Sequence, residues 1–238
     1  MPTRALESPS LVQAGATAPA YEMKFLVNEE RASEVEDWAG QRLARDPHSD
    51  PALGGAYRTT TLYCDTANLD VYRGAPSYRR SKYRARRYGT EGRIFLERKA
   101  KWGDRVEKWR TTIGELEVPL LGGPLASPAW TGHWFHQRLQ ARDLHPAGCV
   151  VYQRKAYMGV NGDGPLRLTL DRGLRGWLTD GWHVGAQEGR PLAVGSVIVE
   201  LKFRAAMPAP FKELIAALWL APATVSKYKL CRQAWETR

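Results

Sequence analysis

Three apolar segments of the chain each carry a glutamate and a lysine two residues apart. They read Y-E-M-K-F at residues 21–25, I-F-L-E-R-K at residues 94–99 and V-I-V-E-L-K-F at residues 197–203. Because side chains alternate between the two faces of a β-strand, each pair lies on one face and the flanking apolar residues lie on the other. Each segment therefore predicts a strand with one charged face.

Three further segments show the same alternation, with cations in place of most of the glutamates. Their charged or polar faces carry Lys82, Arg84 and Arg86 in the first, Tyr152 and Arg154 in the second, and Arg167, Thr169 and Asp171 in the third. Six predicted strands therefore have charged side chains on a single face.

The pattern along the whole chain predicts a mainly β, α+β protein. Eight strands are expected at residues 21–27, 58–65, 79–88, 93–101, 107–113, 149–159, 166–171 and 197–203, and three helices at residues 28–46, 127–144 and 210–220. Eight short strands suit an antiparallel sheet that closes into a barrel. Residues 1–20, rich in Ala, Pro, Ser and Thr, are expected to be a disordered lead-in, and residues 21–238 to form one domain.

The charged faces allow two arrangements of such a barrel. They could coat the outside of a barrel with an apolar interior, or they could line a polar tunnel whose outer face is covered by helices and loops. Amphipathic helices need an apolar surface to pack on, and the outer face of a tunnel would provide one. The helices therefore favour the tunnel.

A tunnel lined by cations is unfavourable when empty, because the charges repel one another and lose solvation. Phosphate is a fitting occupant, since arginine matches its oxygens in pairs and lysine supplies point charge. The interleaved carboxylates would repel phosphate unless a divalent metal such as Mg²⁺ or Mn²⁺ bridges the two. The candidate carboxylates are Glu22, Glu97, Glu200 and Asp171.

The overall charge agrees with an anionic partner. The chain of 238 residues has 35 Lys and Arg against 25 Asp and Glu, a formal net charge of +10. Its three cysteines are widely spaced, and no basic segment followed by an apolar run begins the chain. We therefore expect a cytoplasmic protein, with a membrane partner still compatible with the sequence. Nucleic acid is not expected as a partner, because the cations of residues 82–87 mostly alternate with apolar residues.

The ordered motifs resemble the VTC (vacuolar transporter chaperone) domain family of the triphosphate tunnel, or CYTH-like, superfamily. The resemblance spans residues 21 to about 230 and rests on Y-E-M-K-F, T-L-Y-C-D-T followed by L-D-V-Y, K-Y-R-A-R-R-Y, F-L-E-R-K, Y-Q-R-K-A-Y, L-R-L-T-L-D, V-I-V-E-L-K-F and S-K-Y. It implies an eight-stranded tunnel and a polyphosphate polymerase, which transfers the terminal phosphoryl group of ATP to a growing polyphosphate chain with Mn²⁺ or Mg²⁺.

The resemblance also implies roles for individual residues. Residues expected to act in catalysis are Arg84, Arg86, Lys99, Lys202 and Glu200; those expected to bind substrate are Lys24, Lys82, Tyr152, Arg154, Arg167, Ser226 and Lys227; those expected to hold metal are Glu200, Glu22 and Glu97. Two alternatives remain open at this point. One is a triphosphatase or nucleoside triphosphatase of the same fold, and the other is a non-catalytic module that binds polyphosphate.

Overall fold

The computed structural model describes residues 15–103, 105–124, 126–162, 164–185 and 187–236. Its strands are β1 (Gly15–Val27), β2 (Ala44–Arg45), β3 (Tyr57–Asp65), β4 (Ser81–Tyr88), β5 (Arg93–Trp102), β6 (Arg105–Gly114), β7 (His145–Asn161), β8 (Gly164–Trp177), β9 (Arg190–Pro191) and β10 (Val197–Phe203). Its α-helices are α1 (Glu29–Arg42), α2 (Asp70–Arg73), α3 (His133–Gln140), α4 (Ala209–Ala217) and α5 (Lys227–Glu236), and two 3-10 helices cover Pro51–Leu53 and Glu115–Gly122.

The eight long strands close into an antiparallel barrel. Their order is β7-β3-β4-β5-β6-β1-β10-β8, and β8 pairs back with β7 to complete the ring. The two-residue strands β2 and β9 extend β7 and β8 outside it. The predicted eight-stranded closed barrel is therefore confirmed.

Helices cover the apolar outer face of this barrel on two sides. Phe25 of β1, Leu168 of β8 and Val199 of β10 pack against α1 and against Phe211 of α4 in one buried cluster. On the other side, Tyr83 of β4 packs against α3, with its ring centroid 5.7 Å from that of Phe135. The apolar faces thus point outward under helices, and the charged faces point inward, as in the tunnel arrangement.

Several element boundaries differ from those predicted. Residues 15–20, expected to be disordered, belong to β1 and pair in part with β6, whereas residues 1–14 lie outside the described part of the chain. The first helix is capped by Asn28, whose side chain accepts the Arg31 backbone N–H at 2.9 Å, but it ends at Arg42 because residues 44–45 join the sheet.

The other helices also differ from the prediction. Of the predicted helix at residues 127–144, only His133–Gln140 (α3) is helical. The helix predicted at residues 210–220 corresponds to α4, which ends at Ala217. Helices α2 and α5 were not predicted at all. No helix in the described ranges has the length and apolar character needed to cross a membrane.

Candidate functional site

The inward faces of the strands, together with the start of α5, bring most of the buried charge into the barrel. Among the described residues, these interior cations are Lys24, Lys82, Arg84, Arg86, Lys99, Lys108, Arg110, Arg154, Arg167, Lys202 and Lys227. The interior carboxylates are Glu22, Glu97, Asp171 and Glu200. Cations therefore outnumber carboxylates by more than two to one in the barrel interior.

Antiparallel pairing of two E-x-K segments creates the first group of interior charges. Strands β1 and β10 place Glu22 opposite Lys202 and Lys24 opposite Glu200. The Lys202 ammonium lies 2.9 Å from Glu200 Oε1 and 3.7 Å from Glu22 Oε1. Each carboxylate thus has a lysine on its own strand and another on the neighbouring strand.

Lysines also lie opposite one another, which is unusual inside a sheet. The register places Lys99 of β5 opposite both Lys82 of β4 and Lys108 of β6. Glu22 pairs with Lys99 and lies 3.7 Å from the Lys108 ammonium. Like charges on directly opposed residues destabilise a sheet. This row of three lysines therefore favours an anion as the occupant of the barrel.

Burial and crowding change the acid–base behaviour of these lysines. Burial lowers the pKa of Lys24 to about 7 and that of Lys82 to about 8. The Lys202 charge, followed by burial, holds the pKa of Lys108 well below its usual range. Burial alone would raise the pKa of Glu22, and Glu200 adds to this, but the surrounding lysines hold it at about 2. The carboxylates are therefore ionised at neutral pH, whereas some lysines need an anion to become fully charged.

A second group surrounds Asp171 of β8. Arg154, directly opposite on β7, donates through Nε and Nη2 to the two carboxylate oxygens at 2.6 and 2.7 Å. The Lys227 ammonium lies 2.6 Å from Asp171 Oδ2 and 4.7 Å from the ring centroid of Tyr152. Tyr152 also packs its ring against the Arg154 guanidinium. These contacts bring the start of α5 into the interior.

The segment that precedes α5 closes over one end of the interior. Lys24 donates to the Val225 carbonyl oxygen and Lys82 to Ser226 Oγ, both at 2.9 Å. At the other end, Arg167 Nη2 donates to the Tyr57 hydroxyl at 3.0 Å and lies 2.6 Å from Asp46 Oδ2. All residues predicted to act in catalysis, substrate binding or metal binding therefore line the interior or its ends.

Some interior residues were not identified from the sequence. Lys108 and Arg110 occupy the inward face of β6, and Tyr88 of β4 accepts from Arg86 Nη1 at 3.4 Å and from Arg110 Nη2 at 3.3 Å. Strand β6 lacks an E-x-K segment, so its inward face was recognisable only through its pairing with β5. Burial and the Glu97 carboxylate would raise the pKa of the Tyr88 hydroxyl. The positive charges of Arg86 and Arg110 outweigh them and lower this pKa to about 8.

Within the described part of the chain, three buried hydroxyl groups of the interior face have no hydrogen-bond partner. They belong to Thr59, Tyr152 and Thr169. Thr59 pairs with Tyr152, and Thr169 pairs with Glu200. A buried polar group without a partner is costly. These hydroxyls therefore fit contacts to a polar occupant such as phosphate oxygen or water.

The interior carboxylates differ in their suitability for a metal ion. In the described ranges, no three His, Cys, Asp or Glu side chains form a group able to hold a metal on their own. Guanidinium groups occupy both oxygens of Asp171 and Glu97. Glu22 and Glu200 lie diagonally from each other on the paired strands β1 and β10, closely enough to interact electrostatically. Because Mg²⁺ is commonly held by one or two carboxylates together with substrate phosphates and water, this pair fits such an ion.

Two solved structures share this barrel. A candidate adenylate cyclase from Bacillus halodurans matches with a TM-score of 0.56 and 13% identity over 89% of this chain and 95% of the other. A candidate adenylyl cyclase from Hippeastrum, described as having a dominant triphosphatase activity, matches with a TM-score of 0.51 and 13% identity over 92% and 96% of the two chains. At this identity the likeness concerns the fold.

Sequence comparison is more specific about the family. No curated protein matches the chain significantly. The model of the VTC domain matches residues 19–236, which covers the five α-helices of the described residues and all of the barrel except the first four residues of β1. The chain therefore belongs to the VTC domain family.

Proposed function

We propose that this protein is a polyphosphate polymerase that transfers the terminal phosphoryl group of ATP to a growing polyphosphate chain. The observation that carries the proposal is the excess of interior cations, above all the row Lys82, Lys99 and Lys108 on adjacent strands. A polyanion with regularly spaced charges would neutralise cations on many strands at once. Membership of the VTC family supports this choice of substrate.

Phosphoryl transfer depends mainly on alignment and on neutralising charge around the transferred group. Arg84, Arg86, Lys99 and Lys202 would hold the oxygens of the reacting phosphates. The rest of the chain would be bound by Lys24, Lys82, Tyr152, Arg154, Arg167, Ser226 and Lys227. The attacking group is a phosphate oxygen that is already ionised, so the reaction needs no general base.

A divalent metal belongs to this proposal. Bound Mg²⁺ or Mn²⁺ would neutralise phosphate charge, and Glu200, with Glu22 beside it, would hold it. Nucleic acid is a poor substrate, because the cations face inward and a duplex cannot enter an eight-stranded barrel. The proposal therefore concerns ATP and polyphosphate.

A triphosphatase is the second candidate, favoured by the activity described for the Hippeastrum protein of similar fold. Incubation of the purified protein with ATP and Mn²⁺, followed by gel electrophoresis, separates the two. Long phosphate chains are the expected product. Orthophosphate alone would identify a hydrolase, and binding of tripolyphosphate without turnover would identify a binding module.

The metal assignment is tested by Glu200→Gln in the same assay. Turnover should fall on the order of 100-fold, since an electrostatic contact to the reacting group is lost. Glu213→Gln, an exposed position on α4, is the matched control and should retain activity. Equal activity of the Glu200→Gln variant and the wild type would refute the role of Glu200.

A further inference from the structure

Glu97 of β5 is completely buried and lies between two arginines in the register of the sheet. Arg84 of β4 is its partner on one side and Arg110 of β6 on the other. Arg84 donates through Nε to Glu97 Oε2 at 2.6 Å, and its Nη2 lies 2.6 Å from the same oxygen. Arg110 donates through Nε to Glu97 Oε1 at 2.8 Å, and Arg86 Nη1 lies 3.8 Å from Oε2.

This arrangement differs from that of the other interior carboxylates. Glu22 and Glu200 are paired with lysines, whose ammonium groups can turn toward a new anion. Glu97 is paired with planar guanidinium groups, and each still has N–H donors beyond those that Glu97 accepts. One buried negative charge thus holds three positive charges, which leaves the group with a surplus of charge for an anion.

We propose that Glu97 is a positioning residue that holds Arg84, Arg86 and Arg110 as one phosphate-binding unit, with Arg110 as a phosphate ligand, and that Glu97 does not bind the metal. This rests on the proposed function, since it concerns the same interior. It assigns to Arg110 a role that no motif of the chain indicated. It also replaces the metal-binding role expected for Glu97 from the sequence, because guanidinium groups occupy both of its oxygens.

The sign of a binding change tests this directly. Glu97→Gln removes a negative charge from the interior, so Coulomb attraction alone would strengthen binding of an anion. Loss of the arrangement of the arginines would weaken it. Weaker binding by the variant therefore reports lost geometry and cannot arise from the change in charge.

The experiment is titration calorimetry of the full chain with tripolyphosphate, first without metal and then with Mn²⁺ added to the complex. We expect Glu97→Gln and Arg110→Ala each to weaken metal-free binding about tenfold, the loss of one charge-assisted hydrogen bond. The affinity of the complex for Mn²⁺ should change less than threefold. The double variant should bind about as weakly as Glu97→Gln alone, because Glu97 acts through Arg110 and its neighbours.

Arg98→Ala is the matched control, since Arg98 is the next residue on β5 and faces the outside of the barrel near Ser81. It should bind tripolyphosphate within twofold of the wild type. Metal-free binding by Glu97→Gln that is unchanged or tighter, together with weaker Mn²⁺ affinity, would overturn the inference. If Glu97→Gln does not fold, the inference is tested with Arg110→Ala alone. Unchanged tripolyphosphate affinity of Arg110→Ala would then overturn the inference. Failure of the wild type to bind tripolyphosphate would instead refute the proposed function.

Discussion

The cost of leaving interior cations without a carboxylate is most easily tested at Asp171. Asp171 accepts two hydrogen bonds from Arg154 and pairs with Lys227, and all three side chains are buried. Asp171→Asn removes the only carboxylate charge that contacts these two cations among the described residues. Breaking a buried pair in this way costs about 3–5 kcal/mol.

The acid–base behaviour of Asp171 gives an independent magnitude. Burial would raise its pKa, but Arg154 and Lys227 lower it from 3.8 to about 2. That difference corresponds to about 2 kcal/mol of stability at neutral pH. Because the folded-state pKa is the lower one, this contribution is present above about pH 4 and is lost as the pH falls toward about 2. The value of about 2 kcal/mol for protonation is smaller than the roughly 3–5 kcal/mol for breaking the pair, because a protonated Asp171 can still accept hydrogen bonds.

We therefore expect Asp171→Asn to lower the free energy of unfolding by about 2–5 kcal/mol, a fall in Tm of about 4–20 °C for a chain of this size. Thermal unfolding followed by circular dichroism measures it. Asp143→Asn is the matched control, because the one ion pair of Asp143 among the described residues is an exposed pair with His145, and the loss of such a pair should cost little stability.

Ligand rescue distinguishes this account from a general packing defect. Tripolyphosphate should raise the Tm of Asp171→Asn more than that of the wild type, since phosphate would neutralise Arg154 and Lys227 in place of the missing carboxylate. A variant as stable as the wild type would refute the reasoning. An unstable variant that tripolyphosphate does not stabilise would also refute it.

Two further predictions follow from the structure. Tripolyphosphate binding near pH 8 should be accompanied by proton uptake, because phosphate would raise the pKa of Lys24 from about 7 and that of Lys82 from about 8. Calorimetry in buffers of different ionisation enthalpy measures this uptake. The variant Lys24→Met should take up fewer protons. Asn28→Ala should cost about 1 kcal/mol in urea unfolding through loss of the α1 cap, whereas an unchanged midpoint would show that the cap is dispensable.

The strands and the charged faces were predictable because alternation with period two is a local property of the sequence. All eight barrel strands were predicted, five of them within two residues of their observed limits, whereas β1 and β7 begin earlier and β8 ends later than predicted. The E-x-K segments identified Glu22, Lys24, Glu200 and Lys202. Whether the charged faces point into the barrel or away from it is not a local property of the sequence. It depended on where the helices packed, so the sequence could favour the tunnel over the alternative but could not decide between them.

The missed features depend on contacts between distant segments. Arg110 looks like any cation of a half-exposed strand until β6 pairs with β5 and places it opposite Glu97. The role of Glu97 likewise depends on its neighbours on both adjacent strands, and α5 is held at the barrel by Lys227 pairing with Asp171. Period and propensity contain no information about such partners.

We expect a linear phosphate chain to bind inside the barrel. A crystal structure of the protein with tripolyphosphate and Mn²⁺ tests it most directly. We predict phosphate oxygens within hydrogen-bonding distance of Arg84, Arg86, Arg154 and Lys202, with the metal at Glu200. Tripolyphosphate bound only on the outer surface, with the interior ion pairs unchanged, would contradict the account.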